Sequence, residues 1–378
     1  MTNVVLLKSN VANRGGVEKY TSRLADAFAD RGCTVTVLTS GEPPSSSEKV
    51  SYEIVSKRRF LSYYDIVSFD RGCMSWLGSN GYDVVFGMDR HSFQTHYRAG
   101  NGVHAAYLDR RRATASSLKR LSFAVNPLHR KILSLEKSTY EGKSLRRLFT
   151  NSAMVRDEIL SYYTVNPKKI SVIHNGVEWS EMGNAFDLWP SERCKLLKRF
   201  GVTDESYHFL FVGGGFKRKG LDLLLRALSL LPRRDFVLSV VGADKNLKEF
   251  SSLAEDLGIG SNVHFFGARD DVIDFYKVAD ALVIPSNYDP FANVTVEALA
   301  MGVFVVTSKS NGGHEVITSD TGAILEDLYD AEGFAATLAM AMERPKTPSQ
   351  ASAIRNSVKH LDFSHQLDTI VTETLETM

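Results

Sequence analysis

A chain of 378 residues with 43% hydrophobic content can bury one large core or, as its length favours, two. With 45 Lys+Arg against 44 Asp+Glu the formal net charge is +1, which excludes a globally basic nucleic-acid binder. Cys33, Cys73 and Cys194 are scattered, odd in number and without C-x-x-C spacing, which suggests a reducing compartment and no structural zinc.

The N-terminal apolar run is too short for a signal peptide and reads as a first strand over 4–7. No stretch approaches the roughly 20 apolar residues that cross a bilayer, so the chain is expected to be soluble or to lie on a membrane. Asn13-Arg14-Gly15-Gly16-Val17-Glu18 joins the first strand to a helix over 16–31. Gly15 and Gly16 let backbone approach a ligand closely, and the helix start favours an anion. The loop lacks G-x-G-x-x-G, which weakens a nicotinamide dinucleotide reading; an ordinary tight turn is the alternative. Strands over 34–38 and 83–87 continue a βαβ pattern, with a surface loop around 43–47 between them.

In Tyr97-Arg98-Ala99-Gly100-Asn101-Gly102-Val103-His104, glycines bracket Asn101 and a histidine follows. A lone histidine is more often structural than catalytic, and only the surrounding glycines raise His104 to a site candidate. Between His104 and Arg147, eleven Lys/Arg face Asp109, Glu136 and Glu141. Leu118, Leu121, Phe123, Val125, Leu128, Ile132, Leu133 and Leu135 are interleaved with these charges. Such a segment suits an anionic membrane surface or a phosphorylated glycolipid, where each nearby cation contributes about 1 kcal/mol. Nucleic acid is the less favoured partner, since no nucleic-acid module overlaps the region; a solvated helix face is the third reading.

Few apolar residues occur over 175–189, where Gly176 and Gly183 precede Pro190, and this predicts an interdomain linker. The strand grammar restarts at 209–213, with a helix over 220–231 and strands at 237–241, 263–266, 281–285 and 303–307. The prediction is an α/β protein of two Rossmann-like doubly wound halves, 1–175 and 176–357, and a terminal segment 358–378 carrying a helix over 360–378.

Two loops of the second half carry chemistry. Gly213-Gly214-Gly215-Phe216-Lys217-Arg218-Lys219-Gly220 follows a strand and precedes a helix, so glycines admit a ligand to the backbone while cations face it. Arg218 can give two parallel hydrogen bonds to a diphosphate, and Lys219 supplies a compact charge; the plainer reading is a solvated basic turn. Tyr288 to Gly302 places Asp289 and Glu297 eight residues apart, in a loop and helix at the carboxyl edge of the sheet. Backbone N–H groups of Phe291, Ala292 and Asn293 are expected to point from the helix start to an anion. The bland alternative is an N-cap acid and a surface glutamate. After the 263–266 strand, Arg269 is read either as a contact to a base or ribose or as part of a helix start capped by Asp270 and Asp271. No paired acids at a strand edge and no His/Cys cluster have metal spacing, so no metal and no cofactor are expected.

Asp289-x7-Glu297, Lys217-Arg218-Lys219-Gly220 and Asn262-Val263-His264-Phe265-Phe266-Gly267 resemble segments of the retaining glycosyltransferases of family 4, over nearly the whole chain and most nearly those of the lipopolysaccharide core α-glucosyltransferases directed to heptose. The resemblance implies a GT-B fold and a transfer of hexose, glucose first, from a nucleotide diphosphate sugar, UDP-linked first, to a glycolipid acceptor. It implies that Gly15, Gly16 and Gly214 line the donor diphosphate and that Arg218 and Lys219 hold it. Arg269 is placed beside the base, Glu297 on the ribose, and Asp289 with Phe291, Ala292 and Asn293 at the donor sugar. His104 is placed at a sugar hydroxyl or the reacting centre. It also implies that the chain end crosses back to the first domain and that the enzyme works on the cytoplasmic face of the inner membrane. Asp289 and Asn101 depart from the family pattern, which has glutamate at the first position and aspartate at the second. A same-fold nucleotide-sugar epimerase, or a membrane or nucleic-acid binding protein with a decayed donor pocket, are the rival readings.

Overall fold

The computed structural model describes residues 1–11, 16–41, 49–57, 62–113 and 116–378. Gly15 and the loop expected at 43–47 lie outside the described residues. Two compact units divide the chain: Met1–His174 with Gln366–Met378, and Asn175–His365.

In the first unit the order is β1 (Asn3–Leu7), α1 (Gly16–Asp30), β2 (Thr34–Thr39), β3 (Val50–Ile54), α2 (Ser62–Leu77), β4 (Val84–Gly87), β5 (His96–Arg98), α3 (His104–Ala113), α4 (Ser117–Val125), α5 (Pro127–Glu141), β6 (Arg147–Thr150), α6 (Ala153–Tyr162) and β7 (Ile170–Val172). Among the described residues, seven parallel strands pair in the order β3-β2-β1-β4-β5-β6-β7. Val4 to Leu7 and Val84 to Phe86 are buried, as apolar runs in a parallel sheet must be. The strand order reverses between β1 and β4, and the loops leaving those two strands open a crevice at their carboxyl ends.

The second unit runs α7 (Gly183–Phe200), β8 (Tyr207–Val212), α8 (Leu221–Ser229), β9 (Phe236–Val241), α9 (Leu247–Asp256), β10 (Val263–Gly267), α10 (Val272–Val278), β11 (Ala281–Ile284), α11 (Asn293–Ala300), β12 (Phe304–Ser308), β13 (Gly322–Leu325), α12 (Ala331–Met342) and α13 (Pro348–Ser357). Its parallel sheet has the order β10-β9-β8-β11-β12-β13, with the reversal between β8 and β11. The two loops singled out in the sequence, after β8 and after β11, are therefore neighbours at this reversal.

The expected linker is in part a helix. α7 starts at Gly183 and continues through Pro190, against the reading of 175–189 as a linker. A proline inside a helix forfeits one backbone hydrogen bond, and the burial of Trp189, Leu196, Leu197 and Phe200 on one side offsets that loss. The last helix, α14 (Phe363–Glu376), ends in the first unit. There Ile370 and Val371 are buried, Ser171 Oγ donates to Glu373 at 2.5 Å, Thr377 Oγ meets His96 Nε2 at 3.0 Å, and Asp368 pairs with Arg31.

Candidate active site

The β8–α8 loop is shaped by two glycines. Gly213 and Gly220 have φ of 132° and 79°, which side-chain-bearing residues rarely adopt. A Cβ on Gly220 would stand 2.1 Å from the Pro285 carbonyl oxygen, and one on Gly213 would stand 2.7 Å from Lys219 Cε. The loop is stitched to the one that follows β11: Asn287 N–H donates to Arg218 O at 2.9 Å and Asn287 Nδ2 to Lys217 O at 3.0 Å. Asp244, after β9, accepts from Phe216 N–H at 2.7 Å. A Cβ on Gly214 would lie 3.1 Å from Ala243 O, so that backbone also passes close.

Held this way, Arg218, Lys219 and Asp289 meet. Arg218 Nη1 donates to Asp289 Oδ2 at 2.9 Å and to Tyr288 O at 3.0 Å, while Lys219 Nζ lies 3.2 Å from the same Oδ2. Lys219 and Asp289 are each only 8% exposed. Two cations on one carboxylate leave a local charge of one positive unit, a ready partner for an anion. The sequence reading gave the cations to a diphosphate and Asp289 to a sugar; in the structure the shorter acid contacts the cations directly.

The start of α11 is more committed than expected. Ala292 N–H donates to Asn311 Oδ1 at 2.9 Å, so of the three helix-start amides expected to face an anion this one is used inside the protein. Asn311 is fully buried and also accepts from Gly313 N–H at 3.1 Å and donates to Thr307 Oγ at 2.8 Å. A buried amide side chain has to find such partners, and it competes for the helix-start donors. Asp289 N–H donates to Ser310 O and Gly312 N–H to Asp289 O, both at 2.9 Å, fixing the loop to the one after β12. Asn175 Nδ2 donates to Asn293 Oδ1 at 2.6 Å and to Phe291 O at 3.3 Å. Glu297, half-buried, accepts from Tyr276 Oη at 2.9 Å. The sequence reading missed Asn175, Tyr276 and the hub role of Asn311; only Asn311, beside two glycines, carried a local signal.

Arg269 is clamped. Its Nε and Nη2 donate to the two oxygens of Asp271 at 2.8 and 2.7 Å, at the start of α10, and Arg199 pairs with the same carboxylate at 2.7 Å. The bond from Arg269 is the main cause that holds the Asp271 carboxyl below its ordinary pKa. Asp271 stands at the N-cap of α10, but its side chain makes no capping hydrogen bond to the helix, so pairing with Arg269 and Arg199 rather than capping occupies its carboxylate.

In the first unit His104 opens α3. Its N–H donates to Glu136 Oε1 at 2.7 Å, Ala105 N–H to Oε2 at 3.1 Å, Tyr163 Oη to Oε2 at 2.7 Å and Arg90 Nε to Oε1 at 2.8 Å. Glu136 is fully buried, so it is no member of a charged surface but an anion at a helix start, where the dipole favours it. The His104 ring meets His129 at 3.1 Å, and burial, helped by Arg90, His129 and Arg111, lowers its pKa to about 4. His104 is therefore neutral near pH 7. At the β1/β4 reversal, a cavity of about 270 Å³ is lined by Ser9, Asp65, Asp89, His91 and Asn101 among others. Burial pushes the Asp89 carboxyl up, but Lys8 at 2.8 Å and the Ser9 amide at 2.9 Å outweigh it and hold its pKa low.

Each half of the chain matches the model of a known enzyme family: residues 14–181 match Glycosyltransferase Family 4, and residues 193–359 match Glycosyl transferases group 1. The chain belongs to the glycosyltransferases.

Two relatives and two solved structures illustrate the likeness. The lipopolysaccharide glucosyltransferase WaaG of Escherichia coli is 27% identical over 333 residues, covering 84% of this chain and 83% of the relative. A D-inositol 3-phosphate glycosyltransferase of Streptomyces griseus is 25% identical over 395 residues, 92% of this chain and 81% of its own. A crystal structure of WaaG, described as a glycosyltransferase involved in lipopolysaccharide biosynthesis, superimposes with a TM-score of 0.80 at 24% identity, over 98% of this chain and 99% of that one. HepE of Anabaena, solved with UDP-glucose, gives 0.70 at 17% identity over 100% of both chains. The two Rossmann-like units of this glycosyltransferase are those of the GT-B fold.

The basic stretch of this glycosyltransferase folds as α3, α4 and α5. Part of its charge is neutralised: Arg110 pairs with Glu158 and Arg112 with Asp109, each at 2.8 Å, and Lys131 lies 3.7 Å from Asp70. Of the interleaved apolar residues Phe123 and Leu135 are buried, whereas Leu121 and Val125 are 62% and 64% exposed. The Leu118 and Lys119 side chains lie outside the described residues. Among the described residues no helix is long and apolar enough to cross a membrane, and no group of three His, Cys, Asp or Glu is arranged to hold a metal ion.

Proposed function

We propose that this glycosyltransferase moves a hexose, glucose first, from a UDP-linked donor to a glycolipid acceptor such as lipopolysaccharide core, with retention of the α configuration and without a metal ion. The observation that carries the reading is the meeting of Arg218 and Lys219 on Asp289 at the reversal of the second sheet, one unit of positive charge in excess. The names of WaaG, a lipopolysaccharide glucosyltransferase, and of HepE, bound to UDP-glucose, support the donor and the acceptor class.

The bond from the sugar's anomeric carbon to the diphosphate oxygen breaks, and negative charge grows on the leaving group. Arg218 and Lys219, already fixed in place, stabilise that charge most as it develops. The acceptor hydroxyl attacks from the same face, its oxygen bonds to the anomeric carbon, and its proton passes to the departing phosphate oxygen. Glu297 holds the ribose hydroxyls, and Asp289 with the start of α11 at Phe291 and Asn293 orients the donor sugar, the Ala292 amide being held by Asn311. Gly16 and Gly214 let backbone approach the donor; His104, neutral, accepts or donates a hydrogen bond at a sugar hydroxyl. Leu121 and Val125, exposed beside Arg120, suit contact with an anionic membrane surface, with the enzyme on the cytoplasmic face of the inner membrane.

Calorimetric titration with UDP, UDP-glucose, GDP-mannose and UDP-GlcNAc in the presence of a chelator tests the donor. Selective binding of the UDP species is expected. Binding of GDP-mannose alone, or binding that needs a divalent ion, contradicts the reading.

A further inference from the structure

Tyr276 lies in α10, outside both loops that form the candidate site, and is 2% exposed. A phenol buried this deeply needs a partner for its hydroxyl. It finds one across the helix pair: Tyr276 Oη donates to Glu297 Oε2 at 2.9 Å. Burial and the Glu297 carboxylate both push the phenol's pKa well up, so the hydroxyl keeps its proton and serves as a donor. The tyrosine itself is pinned from behind, since its backbone carbonyl accepts from Lys346 Nζ at 3.0 Å.

A glutamate in the second turn of a helix has three side-chain torsions to fix before it can hold two vicinal hydroxyls. Ordering such a side chain on binding costs conformational entropy. A rigid donor already seated on one carboxylate oxygen removes most of that cost by fixing the plane of the carboxylate. We infer that Tyr276 is a positioning residue for nucleotide recognition: it orients Glu297 toward the ribose hydroxyls and touches no substrate itself. The inference rests on the assignment of Glu297 to the ribose made above.

The test is calorimetry of wild type, Tyr276→Phe, Glu297→Gln and the double variant with UDP and with its 2′-deoxy and 3′-deoxy analogues. Tyr276→Phe removes one oxygen from a core position, and its melting curve verifies that it folds. It is expected to weaken UDP about three- to ten-fold. That penalty should shrink toward zero with the analogue lacking the hydroxyl that Glu297 holds, and in the Glu297→Gln background. A merely structural tyrosine would weaken all three nucleotides alike, and that result overturns the inference. Unchanged UDP affinity in Tyr276→Phe overturns it also, while the ribose assignment survives if Glu297→Gln is damaged. If Glu297→Gln binds UDP as wild type does, the ribose assignment fails and the positioning role fails with it.

Discussion

At the residue scale, the contact of Lys219 with Asp289 decides how the site behaves. Both are largely withdrawn from water, so removing either leaves its partner's charge poorly compensated. Asp289→Ala is expected to lower stability by about 3 kcal/mol in chemical denaturation, and UDP is expected to raise the melting temperature of this variant more than that of wild type. The phosphate then replaces the lost carboxylate between the two cations. Lys219→Ala is expected to lower kcat by about 10²–10³-fold, measured under donor saturation; a kcat within a factor of two of wild type contradicts its role on the leaving group. His104 makes a different prediction. With its pKa lowered to about 4 it carries no charge across pH 5.5 to 8, so a wild-type rate profile in that range should show no step that disappears in His104→Gln.

Among the secondary-structure elements, the long buried strands were legible and the three-residue strands were not. The long apolar runs that became β8, β9, β11 and β12 announce themselves because parallel strands are buried on both faces. β5 and β7 have three residues each, too few for any periodicity, and they exist because neighbouring strands supply their hydrogen bonds. The candidate loops were legible for a related reason: Gly213 and Gly220 mark backbone that only glycine tolerates, and charges beside them stand out. Tyr276 and Asn175 were illegible, since each becomes a neighbour of the site only through pairing distant in sequence. The helix α14 carries its own test. Ile370 is fully buried, and Ile370→Ala is expected to cost about 2–4 kcal/mol in a denaturant titration. His96, on β5, meets Thr377 just beyond that helix, and burial, aided by Arg146 and Arg147, lowers its pKa to about 3. The unfolded chain binds a proton at a histidine near pH 6.5, before the folded one does, so stability is full above that pH and is lost as the pH falls toward 3. His96→Asn should show a smaller drop in melting temperature between pH 7.5 and pH 5 than wild type does.

On the scale of the whole molecule, a net charge of +1 conceals a marked asymmetry, with eleven cations in the stretch from His104 to Arg147. Ion pairs tie up some of them, and Leu121 and Val125 remain exposed on α4. Replacing both by Asp is expected to reduce co-sedimentation with vesicles containing anionic lipid several-fold while leaving UDP affinity unchanged; equal sedimentation of the two proteins contradicts a membrane role for this surface. The activity proposed for the enzyme is a retaining transfer of hexose from UDP-glucose to a glycolipid. It is tested most directly by following the anomeric proton signals of purified enzyme, UDP-glucose and a delipidated lipopolysaccharide core acceptor by NMR, with chelator present. A new α-linked glucose signal is expected to grow only when acceptor is present, together with stoichiometric UDP. A β-linked product, or conversion of the donor sugar with no acceptor in the tube, would contradict it.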